Sequence, residues 1–197
     1  MKFIKLGLKA PKEIQLGAGI ILSGVDSFEP DTATAKEDKI FGTTSGGVSF
    51  TAIPTFSDFG EDLDNCPKNM KEFKRFESWE AKMSGTFKTL SKETAKILVA
   101  LADLDSGSGK ITPRNVLKDT DFSDLWWVGD YSDKNTGETA GFIAIHLMNA
   151  LSTSGFSLKS NDKSKGEFAF EFTGHYSIGS QETPPFEIWV KPGTEGT

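Results

Sequence analysis

The sequence predicts a mainly β (α+β) fold, a β-sandwich or barrel with one flanking α-helix and a long inter-strand loop. Three observations favour it. Several stretches alternate apolar and polar residues, a single stretch has helical spacing, and 20 glycines among 197 residues imply many turns. A chain of this length can bury about 70% of its unfolded surface, so its core does not need disulfides.

The first 40 residues show no clear period, and we expect an N-terminal arm or irregular segment there, followed by a β domain over residues 41–197. The stretch 14–27 is apolar but glycine-rich, and the stretch 29–39 is polar. Lysines scattered through the first 12 residues do not resemble a signal peptide. No run approaches the roughly 20 apolar residues of a membrane-spanning helix, so we expect no membrane partner.

The first clear strand, Val48 to Ile53, is expected to stop at Pro54, because proline cannot donate to a sheet. A polar loop is then predicted from about residue 55 to 76, with the turn formers Gly60 and Pro67. A loop of about 20 residues is unusual in a compact domain and is commonly functional.

The stretch 79–87 is the most regular strand. Alternate residues form an apolar face (Trp79, Ala81, Met83, Gly85, Phe87) and a polar face (Glu80, Lys82, Ser84, Thr86). This pattern predicts one face against a core and one face in water.

A helix is predicted over about 92–103. Ser91 is a good N-cap and Glu93 lies in the first turn, where the helix dipole favours acid. Apolar residues recur at helical spacing (Ile97, Leu98, Leu101, Leu104). The sequence DSGSG at 105–109 is expected to end the helix.

The remaining chain is predicted to be β. We expect a strand over 122–131, a hairpin turn over 133–138 and a strand over 141–151 that is buried on both faces. Alternation of Phe168, Phe170 and Phe172 with polar or small residues predicts another strand. The last strand is predicted over 186–190.

No catalytic, metal or cofactor motif is apparent, so we expect neither an enzyme nor a metalloprotein. His146 and His175 fall in strands without a further Cys or His at ligand spacing. A calcium loop beginning at Asp103 would need glycine and glutamate where Ser108 and Arg114 stand. No nucleophile stands at recognisable spacing from a base.

Charge and tryptophan placement bear on binding. The net charge of −6 argues against a sequence-specific nucleic-acid reader. Cys66 is the single cysteine, which favours folding in the cytosol. Trp126 and Trp127 would point to opposite faces of a strand, so at most one could serve a sugar-stacking platform. The favoured interpretation is that one tryptophan lies in the core and the other lies at an edge or interface.

The predicted loop separates its charges. Its first half is acidic, its second half is basic, and phenylalanines flank both: Phe56, Asp58, Phe59, Glu61, Asp62, Asp64, Lys68, Lys71, Phe73, Lys74 and Arg75. A solvated loop would explain this pattern. A docking arm would also explain it, because charge steers association and buried rings supply affinity.

Three long stretches resemble the major tail tube proteins of long-tailed phages of Gram-positive hosts: SGGVSFTAIPTF (45–56), FESWEAKMSGTFKTL (76–90) and ITPRNVLKDTDFSDLWWVGDYSD (111–133). The stretches 141–151 and 165–177 are also similar. The resemblance covers most of the chain from about Gly46 and is weaker in the first 40 residues.

The resemblance implies a structural virion protein. Its subunits would close into hexameric rings, and the rings would stack into a hollow tube that conducts DNA to the host. A long loop between early strands would reach the adjacent ring, as residues 55–76 could. Further partners would be a tape measure protein, a tail tip or initiator and a tail terminator. The protein would be made in the host bacterial cytoplasm and located in the virion tail.

In such a tube the bore must let DNA slide without sequence-specific binding. Glu80, Lys82 and Glu171 are candidate lumen residues, and we expect a net-negative bore. The acidic half of the loop is expected to meet a basic surface of the adjacent ring, such as its residues 68–75. Three alternatives remain: the inner tube of a contractile tail or bacteriocin, a phage-associated carbohydrate-binding module, and an enzyme.

Overall fold

A computed structural model describes residues 13–131, 141–160 and 162–193, and within them the chain is mainly β with one α-helix, as the sequence predicts. The strands are β1 Gln15–Ser23, β2 Phe28–Glu29, β3 Thr34–Ala35, β4 Ile40–Gly42, β5 Thr44–Asp58, β6 Lys74–Phe87, β7 Ala102–Asp105, β8 Lys110–Pro113, β9 Ser123–Tyr131, β10 Gly141–Ser152, β11 Ser157–Lys159, β12 Glu167–Thr173 and β13 Phe186–Lys191, and the helix is α1 Lys92–Val99.

Nine strands form one antiparallel sheet that folds into two layers at β10. The first layer has the order β4-β1-β9-β10-β13, and the second has the order β5-β6-β12-β11. The first half of β10 pairs with β9 and β13, whereas Leu151 and Ser152 at its end pair with β12. A single long strand therefore connects the two layers of the sandwich.

The main core lies between the layers. Met83 and Phe87 of β6 face Ile21 of β1 and Leu147 of β10, and all four side chains are fully buried. Removing a side chain of this size from water contributes roughly 1.5–3 kcal/mol. The predicted alternation of residues 79–87 is confirmed, since Ala81, Met83 and Phe87 are buried on the core face.

A second apolar cluster lies on the other side of the first layer, beneath the β2–β3 hairpin. Phe28 of that hairpin covers Trp126, Phe142 and Ala144. The ring centroids of Phe28 and Phe142 are 5.2 Å apart. Because β10 lies between two clusters, its apolar residues on both faces are buried, as predicted for 141–151.

The helix begins where the sequence predicts, but its predicted end at about residue 103 is wrong. The Ser91 hydroxyl accepts the N–H of Thr94 at 3.0 Å, which caps α1. The helix ends at Val99, and Ala100 has a φ of +67°, which a continuing helix does not allow. The DSGSG stretch is instead the turn of the β7–β8 hairpin, where the Asp105 carboxylate accepts the N–H of Gly107 at 3.0 Å.

The prediction of an irregular N-terminal segment is wrong for residues 15–23, which form β1 between β4 and β9. A bulge hides the strand pattern, because Gly17 and Gly19 have φ values of +71° and +68°. A Cβ on Gly19 would lie 2.6 Å from the Trp127 ring. Residues 1–12 and the turn predicted at 133–138 lie outside the described residues.

The predicted strand end at Pro54 is also wrong. Residue 54 pairs with Trp79, and β5 continues to Asp58, so the loop spans 59–73 instead of about 55–76. Within the described chain β5 has β6 as its one strand partner. A proline at such an edge can point its missing donor away from the sheet without losing a ladder hydrogen bond.

A buried ion pair ties the helix to the β8 segment. The Asp121 side chain is fully buried and accepts hydrogen bonds from the Arg114 guanidinium and, at 2.9 Å, from the Lys118 N–H. The Lys96 ammonium lies 4.0 Å away. Burial raises the pKa of Asp121, but these donors and positive charges outweigh it, so the pKa is lowered.

Candidate assembly interface

The distal part of the β5–β6 hairpin, residues 54–79, is called the ribbon here. Its strands pair with each other from Pro54 and Trp79 to Asp58 and Lys74. The neighbouring β12 pairs with β6 only as far as Lys82, so within the described chain the ribbon strands have no further strand partner. The ribbon is therefore a two-stranded extension of the second layer.

Asp58 organises the turn at the end of the ribbon. Its carboxylate accepts the N–H of Gly60 at 2.9 Å and of Asn69 at 3.2 Å, and the Lys74 ammonium lies 3.3 Å away. The Gly60 hydrogen bond is the main cause that lowers the pKa of Asp58; burial opposes it and Lys74 adds to it. A Cβ on Gly60 would lie 2.9 Å from Cys66 Sγ. The turn thus has a defined internal structure.

A row of aromatic rings runs from the sandwich into the ribbon. Phe186 lies 5.3 Å from Trp79, Trp79 lies 5.8 Å from Phe76, and Phe76 lies 6.2 Å from Phe56, between ring centroids. Phe56 is 55% exposed and Phe59 is 59% exposed. Rings exposed next to one another are typical of surfaces that a partner covers.

The charged residues of the ribbon separate into two groups. Lys74 is partly covered and pairs with the nearly buried Asp58, whereas Lys71 is 91% exposed and remains open to solvent although it lies 3.5 Å from Glu72. Arg75 lies 5.9 Å from the Phe59 ring centroid. The other group is exposed and forms no ion pair with a described residue: Glu61, Asp62, Asp64, Lys68 and Glu77. Lys74 is therefore a poorer candidate for an inter-ring contact than the sequence suggests.

The outward side chains of β5, β6, β12 and β11 form a surface that we call the polar face. The structure brings the three candidate lumen residues together on it. Glu80 Oε1 lies 2.5 Å from Lys82 Nζ, and the hydrogen bond and charge of Glu80, with a further contribution from Glu171, raise the pKa of Lys82. Serine and threonine side chains occupy much of the rest: Ser49, Thr51, Ser84, Thr86, Ser157 and Thr173.

Outside the ribbon, the polar face carries equal numbers of acidic and basic side chains among the described residues. The acids are Glu80, Glu167 and Glu171, and the bases are Lys82, Lys88 and Lys159. The charges of these side chains therefore balance on this face, and a net-negative bore stays a prediction. Sequence alternation identifies the face, but the strand pairing is needed to count its charges.

The tryptophan pair is not available as a sugar-binding platform, because Trp126 and Trp127 are both buried. Trp126 stacks on His146 with centroids 4.2 Å apart, and Trp127 Nε1 donates to Ala18 O at 3.0 Å. His175 Nδ1 lies 3.1 Å from Asn149 O. Among residues 13–131, 141–160 and 162–193, no three His, Cys, Asp or Glu side chains are grouped to hold a metal ion.

A cleft of about 930 Å³ lies between the β2–β3 hairpin and the first layer. Its floor is apolar, with Ile20, Phe28 and Phe142, and Lys191 at its rim donates to Pro30 O at 2.6 Å. The described polar lining residues include Asp31, Thr32 and Asp130, and Lys191 Nζ lies 3.4 Å from Asp31 Oδ1.

Two apolar residues of β13 were not identified as interface candidates from the sequence. Ile188 and Val190 are each about half exposed, although they lie on the side of the first layer that faces the core. β13 is the edge strand of the first layer, and the second layer does not cover these two side chains. The alternation of residues 186–190 predicts the strand, but no local signal shows that it lies at a sheet edge.

No family model matches the chain, and no curated protein matches it. In the described part of the chain, no helix combines the length and the apolar character needed to cross a membrane.

Proposed function

We propose that this chain is a structural virion protein that assembles with copies of itself into stacked hexameric rings, the hollow tail tube of a long-tailed phage. The observation that carries this proposal is the ribbon, which presents half-exposed aromatic rings and unpaired charges at the end of a stable sandwich. The extended resemblance to tail tube proteins supports the six-fold ring and the conduction of DNA.

Ring formation would join the edges of neighbouring second layers. β5 lies at an edge of this layer, and closure into a ring satisfies such edges. The polar face would then line the bore, where DNA passes without sequence-specific contacts. Ring closure would thus place a wide sheet surface that is rich in hydroxyl groups around the bore.

Ring stacking would use the ribbon. Exposed Glu61, Asp62 and Asp64 would be steered towards basic residues of the next ring, such as Lys68 and Lys71. Phe56 and Phe59 would supply affinity by losing their remaining exposure to water. Further partners in the virion tail would be a tape measure protein, a tail tip or initiator and a tail terminator.

Sedimentation velocity tests this proposal. The unmodified protein should form species much larger than a monomer as concentration rises, and added salt should reduce them, because salt screens exposed charges. The variant Lys68→Glu with Lys71→Glu should shift the distribution towards small species. Lys74 is left unchanged because its reversal would also break the contact with Asp58.

The matched control is Lys163→Glu with Lys165→Glu, which makes the same charge change at two exposed positions outside the ribbon. We expect this control to assemble like the unmodified protein. Sedimentation as a monomer at every concentration would contradict self-assembly. Equal assembly of the two double variants would contradict stacking through the ribbon.

A further inference from the structure

Each lysine of the polar face lies beside a glutamate of the same face. Lys82 Nζ is 2.5 Å from Glu80 Oε1, and Lys88 Nζ is 2.8 Å from Glu167 Oε1. Lys159 of β11 is the register partner of Glu167. Each acidic residue is thus a neighbour of a basic residue on the face, and the acidic residues do not form a separate patch.

The carboxylates are held in place by further contacts. The Thr153 hydroxyl lies 3.1 Å from Glu171 Oε1. The hydrogen bond from Lys88 is the main cause that lowers the pKa of Glu167, and the charges of Lys88 and Lys159 contribute. The lowered pKa keeps Glu167 ionised at neutral pH. Any anion that approaches a lysine of the face also approaches a carboxylate.

We propose that Glu80, Glu167 and Glu171 are built-in counter-ions that prevent Lys82, Lys88 and Lys159 from binding the phosphates of nucleic acid. The proposal rests on the proposed role of this face as the lining of the bore. It says how a surface with three lysines can contact DNA without binding it tightly. Its physical basis is the repulsion between phosphate and carboxylate. It does not depend on strong pairing, because exposed ion pairs contribute little to stability.

The test compares two triple variants that change the net charge equally. The face variant carries Glu80→Gln, Glu167→Gln and Glu171→Gln. The control variant carries Glu29→Gln, Glu37→Gln and Glu182→Gln, at exposed positions outside β5, β6, β11 and β12. Binding of a labelled 30-base-pair DNA duplex of mixed sequence is measured by fluorescence anisotropy in dilute protein over a series of salt concentrations.

We expect the face variant to bind the duplex at least about tenfold more tightly than the control variant and the unmodified protein at low salt. Its log K should fall with log salt by roughly 0.9 for each phosphate contacted. Adding Lys82→Gln and Lys88→Gln to the face variant should abolish the gain. If the face variant melts at a lower temperature, Glu80→Gln with Glu171→Gln, which keeps the Lys88–Glu167 pair, is compared with Glu29→Gln and Glu37→Gln, so that the net charge again changes equally.

Equal binding by the face and control variants would overturn the proposal, because net charge alone would then explain it. Absence of binding by a folded face variant would overturn it as well. The assay uses dilute subunits and does not require rings. Its failure is therefore distinguishable from a failure of self-assembly, which the sedimentation experiment measures separately.

Discussion

The sandwich and the ribbon use the same residue types in opposite ways. In the sandwich, Phe87 and Phe172 are fully buried between the two layers. In the ribbon, Phe56 and Phe59 remain more than half exposed, although the ribbon strands are paired as far as Asp58 and Lys74. The difference is the first layer, which covers the core face of β6 at Ala81, Met83 and Phe87 and leaves Phe56 and Phe59 exposed. The ribbon rings therefore contribute little to the folded subunit, and we propose that they serve assembly.

The two regions also differ in what an aspartate does. Asp121 contacts Arg114, which follows β8, and Lys96 of α1, so it stabilises contacts between separate parts of the chain. Asp58 binds groups within its own hairpin, at Gly60, Asn69 and Lys74. Loss of the first should affect global unfolding, and loss of the second should affect local order.

The largest effect is expected from Phe87→Ala. The ring of Phe87 stacks on Phe170 with centroids 4.2 Å apart and has no exposure to water. Its removal leaves a cavity in the main core and should lower the free energy of unfolding by about 3–5 kcal/mol. Urea denaturation followed by tryptophan fluorescence measures this loss, and a loss below about 1 kcal/mol would show that the two layers do not share a tight core.

The next effect is expected from Asp121→Asn and depends on pH. A lowered pKa in the folded state means that the ionised carboxylate stabilises the fold above its unfolded pKa of about 3.9, and that this contribution disappears as the pH falls through the folded pKa. The variant should be less stable than the unmodified protein at pH 7. The two should converge below about pH 4 in urea denaturation. A difference that does not change between pH 7 and pH 3 would contradict the ion pair.

Asp58→Asn should act within the ribbon alone. Asparagine keeps the size of the side chain but removes the charge that faces Lys74 and one acceptor oxygen. We expect faster amide hydrogen exchange at Gly60 and Asn69, with no change in the midpoint of global unfolding. Faster exchange outside the ribbon, or a global loss as large as that of Asp121→Asn, would remove the distinction between the two aspartates.

The smallest effect on stability is expected from Phe56→Ala. Because the ring is 55% exposed, the free energy of unfolding should change by less than about 1 kcal/mol. The same variant should reduce the large species seen in sedimentation. Phe87→Ala and Phe56→Ala therefore form a matched pair. The first tests what a phenylalanine contributes to folding stability, and the second tests what it contributes to assembly.

Local chemistry explains which elements the sequence predicts. The alternation in β6 and β12 depends on one buried face, and the start of α1 depends on the Ser91 hydroxyl, so each signal lies within a few residues. The end of α1 is predicted too late, because Leu101 and Leu104 keep helical spacing while belonging to the β7–β8 region. Pairing with β8 there overrides the helical pattern.

The remaining misses depend on contacts with distant residues. β1 needs the glycine bulge that admits Trp127, and β5 passes Pro54 because it lies at an edge of the sheet. For the candidate interface, the alternation identified Glu80 and Lys82 on one face. The approach of Lys88 to Glu167, 79 positions later, required the β6–β12 register. No local pattern in a single sequence indicates such pairings between distant residues.

The most direct test of the central claim is an electron micrograph of the concentrated, unmodified protein in negative stain. The account predicts hollow rods built from stacked six-fold rings, with a stain-filled bore along their axis. Monomeric particles at every concentration, or solid filaments without a bore, would contradict the assignment of this chain as a tail tube subunit.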